Sequence, residues 1–355
     1  MKILHITATH LNPDGGVPVV LKELCTSQNK IDGFESRVIS LVAPVSKMNS
    51  EYFEYVQNKE FVNYINKYRP DFAILHSFFY FEYNSVVKKL VKKGIPYYIE
   101  PHGSFGKEAL KKSRIKKFIA LNTIFSAQIK NAYGYIFLNK KEMDNSKYRT
   151  KNDIIIPNGI NKNSILSTVR KESKCNFYFI GRIDVFQKGL DFLAESLRFL
   201  DCEGISINLH IWGKGNSKDT LFVKEKIDHL KNVNVEFSDS IYGIEKDNIL
   251  EQCGPMILTS RYEGLPMTVL ESWKYGNPCI VTEGTNMATE VEKYNLGWVT
   301  KLDGRSIADT IIKANNDYRK NRDAYVKRCK QYVEDNYSWD KIASDSYKLF
   351  RENCR

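Results

Sequence analysis

Short apolar runs alternate with amphipathic stretches along nearly the whole chain, and this rhythm constrains the fold more than any other feature. "KILHIT" (2–7), "SRVISLV" (36–42), "FAILHSF" (72–78), "PYYIEPHG" (96–103), "YGYIFLN" (133–139) and "DIIIPNG" (153–159) read as buried strands. Helical patterns such as "VPVVLKELCTS" (17–27) lie between most of them. A second series follows: "FYFIGR" (177–182), "ISINLHIWG" (205–213), "VNVEFS" (233–238), "PMILTS" (255–260) and "PCIVTE" (278–283). Continuous apolar strands between helices mean parallel sheets covered on both faces. Two such series in 355 residues predict two doubly wound α/β domains in tandem. The polar stretch after "IPNGI" (156–160) marks the boundary, giving domains 1–160 and 161–338. The final "YSWDKIASDSYKLFREN" (337–353) is helical in pattern, with Ser338 as its cap signal.

Composition narrows the class. A hydrophobic content of 42% with 12% aromatics suits a packed globular protein. There is no run of 18 apolar residues to span a membrane. The N-terminal apolar run is too short for a signal peptide and no small-residue cleavage site follows it. Seven scattered cysteines, odd in number and without a CxxC pair, predict reduced thiols in the cytoplasm rather than disulfides or zinc. The net charge of +11 is uneven: residues 1–160 carry 24 Lys/Arg against 14 Asp/Glu, and residues 161–355 carry 29 against 28. Two clusters, "VVKKLVKKG" (86–94) and "KEALKKSRIKK" (107–117), supply much of the excess. They are either solvated helix faces or a surface for anionic lipid headgroups or a phosphate-bearing acceptor. Nucleic acid is not expected, because no RRM, KH or zinc-finger pattern is present.

Several motifs fall at strand ends, where open parallel sheets bind ligands. In "PDGGVPVV" (13–20), Gly15 and Gly16 make either a tight turn or a close approach to an anion. "FIGRIDVFQKGLDFL" (179–193) sets Arg182 and Lys188 after a strand. They are ordinary surface cations or the neutralising pair of a diphosphate. "IWGKGN" (211–216) adds Gly213, but Lys218 stands where a dinucleotide fingerprint needs glycine, which argues against an NAD enzyme. "SRYEGLPMTVLES" (260–272) is the most informative stretch. Pro266 suits the first position of a helix, which predicts orphan amides at Met267, Thr268 and Val269 and hence an anion site. Glu263 before it and Glu271 within it are helix-start acids, or acceptors for sugar hydroxyls on either side of a phosphate.

Taken in order, these motifs resemble the GT-B glycosyltransferases, and specifically the retaining glycosyltransferase family 4. The resemblance rests on the glycine loop, "PHGSFG" (101–106), "IPNGI", "GRIDVFQKG", "WGKG", "SRYEGLPMTVLES", "LGWVT" (296–300) and the closing "YSWDKIA" helix, and covers nearly the whole chain. It implies a GT-B fold, two Rossmann-like doubly wound domains facing across a cleft. The first would take the acceptor, the second the donor nucleotide, and helix 339–355 would pack back on the first. It implies that Arg182 and Lys188 hold the donor diphosphate and that Glu271 binds ribose hydroxyls. Glu263 would contact the sugar, with Gly264, Leu265, Met267, Thr268 and Val269 beside sugar and phosphate. His102 would sit by the donor sugar, Gly15, Gly16 and Gly213 would line the donor site, and Asn158 and Gly159 would be structural.

The implied activity is metal-independent transfer of a hexose-type sugar from a nucleotide-sugar, UDP first and GDP or ADP after it. The implied acceptor is a saccharide, lipid-diphosphate-linked for capsule, exopolysaccharide or O-antigen assembly at the inner membrane face. No cofactor is expected, and no Asp-x-Asp metal motif occurs in the chain. Alternatives on the same fold are a sugar-nucleotide epimerase, a phosphorylase with pyridoxal phosphate, or a non-catalytic nucleotide-sugar-binding subunit.

Overall fold

The computed structural model describes residues 1–8, 16–43, 51–111, 114–161 and 176–353. It divides into two units, Met1–Asn161 with Tyr337–Arg355, and Lys162–Asn336. The first unit carries β1 (Lys2–Thr7), β2 (Glu35–Ser40), β3 (Phe53–Tyr55), β4 (Phe72–His76), β5 (Tyr97–Glu100), β6 (Gly134–Phe137) and β7 (Ile154–Ile155). They form one parallel sheet in the order β3-β2-β1-β4-β5-β6-β7. The second unit carries β8 (Phe177–Ile180), β9 (Ile207–Trp212), β10 (Val233–Ser238), β11 (Met256–Leu258), β12 (Cys279–Thr282) and β13 (Gly297–Thr300). These are also parallel, in the order β10-β9-β8-β11-β12-β13. Both units are Rossmann-like, with an all-parallel sheet in each.

Burial explains why the strands were legible. Every residue of β4, β5, β6, β8 and β12 is buried, so both faces of each must be apolar or internally paired. The edges behave differently. β3 is half-exposed and exposed along its three residues, and β10 alternates, because an edge strand has a wet side. The stretch 43–70 therefore holds a strand and the helix Phe61–Tyr68 that its composition did not announce. β13 was quoted as a motif and is the other edge of its sheet.

Strand order locates the ligand-binding edge of each sheet. The connections run one way from β1 to β2 and the other way to β4, and likewise for β8, β9 and β11. Opposite crossovers leave a crevice beyond the carboxyl ends of β1 and β4, and of β8 and β11. Those ends carry Thr7 and His76 in one unit, and Gly181–Arg182 and Thr259–Ser260 in the other.

The C-terminal helix Trp339–Asn353 belongs to the first unit. It buries Trp339, Ile342, Ala343, Ser346 and Phe350, spaced as one helical face. Phe350 packs on Phe72 and Tyr98, and Tyr347 on Phe34. The Ile160 amide donates to the Tyr337 carbonyl at 2.7 Å, fixing where the chain re-enters. The Trp339 ring lies over Gly159 so closely that a Cβ there would come within 2.5 Å of it. Gly159→Ala is therefore expected to cost about 1–3 kcal/mol by overpacking. Chemical denaturation should show a smaller cost in a Trp339→Leu background. An equal cost in both backgrounds would contradict the packing.

Candidate active site

Local chemistry shapes the carboxyl ends of β8 and β11. The short helix Val185–Lys188 is capped by Asp184, whose carboxylate accepts the Gln187 amide at 2.8 Å. It ends at Gly189, in the left-handed region at φ +62°, where a Cβ would lie 2.1 Å from the Thr259 carbonyl oxygen. Only glycine satisfies both demands. The Thr259 hydroxyl then donates to the Lys188 carbonyl at 3.0 Å, stitching the end of β11 to this turn. Arg261 completes the fastening. Its guanidinium makes a bidentate pair with Asp191 at 2.8 and 2.6 Å, donates to the Phe186 carbonyl at 2.7 Å, and lies against the Phe186 and Phe192 rings. Arg261 is thus occupied as a clamp.

This scaffold brings two predicted residues together. Lys188 Nζ lies 2.6 Å from Glu263 Oε1, and the Ser260 hydroxyl donates to the same oxygen at 2.5 Å. The side chains are only 12% and 9% exposed. Asn286, itself at φ +61°, donates to the carbonyls of Glu263 and Gly264 and shapes the loop before the next helix. Arg182 is exposed and donates to Gln187 Oε1 at 2.8 Å, on the helix that carries Lys188. Glu271 pairs with Lys246 at 2.6 Å rather than with any predicted partner. Gly213 has a packing reason to be glycine: its Cβ would meet the Gly181 carbonyl oxygen at 2.1 Å.

Two expectations at the helix start need correction. Pro266 is not the first helical residue but the N-cap, with extended φ/ψ of −73° and 106°, and the helix is Met267–Lys274. The Val269 amide is not orphaned, because it donates to the Pro266 carbonyl at 3.0 Å, and its side chain is fully buried. Met267 and Thr268, the first two helical residues, have no carbonyl one turn earlier and are the amides left without an intrahelical partner. Leu265 is buried beside them and Gly264 half-buried. Gly15 lies outside the described residues, and Gly16 opens the helix Gly16–Gln28.

His102 belongs to the first unit, just past β5. It holds a left-handed φ of +47°, uncommon for a residue with a Cβ. Its Nε2 is 3.5 Å from Glu100 Oε1, and Glu100 Oε2 is 3.1 Å from His76 Nδ1. Glu142 accepts the Gly103 amide at 2.5 Å and the Leu138 amide at 2.7 Å, anchoring the loop that carries His102. Burial pushes the Glu100 carboxyl up and the His76 imidazole down to about 3. The sequence reading missed Glu100, Glu142, His76, Lys246 and Ser260. One local signal was present: Glu100 and His102 are two apart at a strand end. Ser260 is only three residues from Glu263, whereas His76, Glu142 and Lys246 depend on contacts made across tens of residues.

Residues 162–333 match the family described as Glycosyl transferases group 1. That match, just under half of the chain, falls on the second unit, which holds every described residue expected at the donor site except Gly16 and His102. The chain is 27% identical over 176 residues to the glycogen synthase of Desulforudis audaxviator, covering 47% of this chain and 34% of that one. It spans about a third of that relative's length. Among solved structures, Anabaena HepE in complex with UDP aligns with a TM-score of 0.73 at 15% identity, covering 99% of this chain and 100% of that one. The sucrose-phosphate synthase of Thermosynechococcus elongatus aligns with a TM-score of 0.73 at 16% identity, covering 99% of each. These likenesses show the GT-B fold.

The Lys188–Glu263 pair yields a stability test. Lys188→Met strands a mostly buried carboxylate and should cost about 3 kcal/mol in chemical denaturation. Lys188→Met with Glu263→Gln should cost less than the two single changes together. Strict additivity would contradict the coupling.

Proposed function

We propose that this chain is a retaining glycosyltransferase that moves a hexose-type sugar from a nucleotide-sugar to a saccharide acceptor. One observation carries the reading: Lys188, Glu263 and Ser260 are joined at the β8/β11 crevice, beside Arg182 and the Met267–Lys274 helix start, within the family match. The arrangement suits a sugar diphosphate. Lysine has three donors, so Lys188 can keep Glu263 and also bind a phosphate oxygen. Arg182 adds a second cation, and the Met267 and Thr268 amides face the same anion. Glu263 accepts from sugar hydroxyls. Glu271 exchanges Lys246 for the ribose hydroxyls. Binding of UDP by HepE supports UDP as the nucleotide.

In the proposed reaction, the acceptor oxygen bonds to the anomeric carbon as the bond from that carbon to the diphosphate oxygen breaks. The acceptor proton passes to the leaving phosphate on the same face. Developing charge on the diphosphate is met by Arg182, Lys188 and the helix start, which are in place before the reaction. No metal or cofactor is needed at that centre. Glu263, already engaged by Lys188 and Ser260, is a poor candidate for a covalent nucleophile, which favours front-face attack.

The first unit is proposed to take the acceptor, a lipid-diphosphate-linked saccharide in capsule, exopolysaccharide or O-antigen assembly. The helix Arg114–Asn122 supports a peripheral place on the inner membrane face. Its Ile115, Phe118 and Ile119, spaced i, i+3 and i+4, are 76%, 60% and 55% exposed, and Arg114 and Lys116 are exposed beside them. An apolar stripe flanked by cations is the pattern of a helix lying in a lipid interface. Among the described residues, no helix is long and apolar enough to cross a membrane.

UDP at about 100 times its dissociation constant should stabilise the chain by about 2.7 kcal/mol, with or without EDTA. Arg182→Ala should retain the fold and lose about 10²–10³ in kcat. A UDP shift that requires Mg²⁺, or an Arg182→Ala enzyme at full rate, would contradict the donor site. Sedimentation with anionic vesicles should pull the chain down in low salt and fail for Ile115→Ser/Phe118→Ser. Binding indifferent to both changes would contradict the interfacial helix.

A further inference from the structure

A second constellation lies in the first unit, and the donor chemistry does not use most of it. A buried hydrogen-bond chain crosses three neighbouring strands. The Ser346 hydroxyl donates to the Ala343 carbonyl at 2.8 Å, which leaves its oxygen to accept from Gln28 Nε2 at 3.2 Å. That sets Gln28 Oε1 toward His5 Nε2, 3.3 Å away, so His5 Nε2 carries the hydrogen. His5 Nδ1 must then accept, and the atom 2.7 Å from it, His76 Nε2, must donate. The tautomers assigned by this network leave a lone pair on His76 Nδ1. That lone pair faces a carboxylate oxygen, Glu100 Oε2, at 3.1 Å. The other Glu100 oxygen has His102 Nε2 at 3.5 Å. Both imidazole nitrogens are buried, and neither makes a hydrogen bond of proper geometry. His76 is 1% exposed. Lone pairs converging in a buried site are repulsive unless something positive lies between them.

We propose that His76 Nδ1, Glu100 and His102 Nε2 form a binding site for a divalent transition-metal ion of the zinc or cobalt type. The three ligand atoms lie within 4.8 Å of one another. Zinc–nitrogen bonds of about 2.0–2.1 Å put tetrahedral ligand atoms about 3.3 Å apart, and His76 Nδ1 and His102 Nε2 approach the two different oxygens of Glu100 at 3.1 and 3.5 Å, within reach of that spacing after a small shift. Two imidazoles and one carboxylate suit zinc or cobalt, whereas magnesium and calcium take oxygen. The fourth position stays open. The non-ligating nitrogen of His76 is held by His5, the outer support that metal-bound imidazoles need. His102 is the most exposed ligand, at 16%, and is the one that swings to close the set. The sequence reading expected no metal because it looked for cysteine spacings and Asp-x-Asp. This set comes from the ends of two strands, β4 and β5, and has neither pattern.

The site differs from the proposed diphosphate centre, which uses the second unit's cations. The test needs no transferase activity and stands or falls separately from the donor reading. EDTA-stripped full-length protein is titrated with Co²⁺ and followed by visible absorption, with Zn²⁺ retention measured by elemental analysis after gel filtration. One equivalent per chain, with the visible bands of a low-coordinate cobalt site, is expected. Glu100→Gln should weaken Co²⁺ binding at least tenfold, and His102→Gln, at the most exposed ligand, should do the same with its circular dichroism unchanged. No uptake by the wild-type chain would overturn the proposal and leave a proton as the bridging charge. Equal uptake by folded His102→Gln and Glu100→Gln proteins would overturn it too, placing the ion elsewhere.

Discussion

A lysine and a glutamate 2.6 Å apart, both mostly buried, hold the candidate site of the second unit in shape. Lys188 ends a four-residue helix and Glu263 lies in a loop, positions with little rigidity of their own. Their attraction is strong because water is largely excluded, and for the same reason neither charge tolerates losing the other. Everything nearby enforces the pairing. Gly189 lets the chain turn against Thr259, Arg261 fastens the loop to Asp191, and Asn286 holds the backbone of Glu263 from the far side. A site assembled before its ligand arrives spends little binding free energy on ordering itself, which is the basis of electrostatic preorganisation.

Much of this architecture is legible in the sequence, and the parts that are not share a cause. β4 reads "FAILH" and is buried throughout, so its composition declares it. β3 reads "FEY" at a sheet edge, where one wet side removes the apolar run. The two glutamates of "SRYEGLPMTVLES" could be picked out by their place around a helix start. The pairings could not: Lys188, itself a candidate, is 75 residues from Glu263, and Lys246 is 25 from Glu271. Pro266 shows how a one-residue shift matters, since moving it from first turn to cap ties up the Val269 amide and reduces the free donors to Met267 and Thr268.

The two units divide chemistry differently. The second holds cations and a helix start at its crevice, suited to a diphosphate. The first holds a buried train of imidazoles and amides from Ser346 to His102, drawn from β1, β4, β5 and two helices. The C-terminal helix contributes Ser346 to that train and Trp339 to the cover of Gly159. Its return to the first unit therefore fixes tautomers as well as packing. Hydrophobic burial alone does not require such a polar chain; its links are satisfied from Ser346 to His76 Nε2, whereas His76 Nδ1 and His102 Nε2 are buried without a hydrogen bond.

The central claim is that the carboxyl ends of β8 and β11 bind a nucleoside diphosphate. A crystal structure of the chain with UDP would test it most directly. The account predicts the β-phosphate within hydrogen-bond distance of Arg182, Lys188 and the Met267 or Thr268 amide, with Glu271 on the ribose and released from Lys246. A diphosphate bound away from these groups, with the Lys246–Glu271 pair undisturbed, would contradict it.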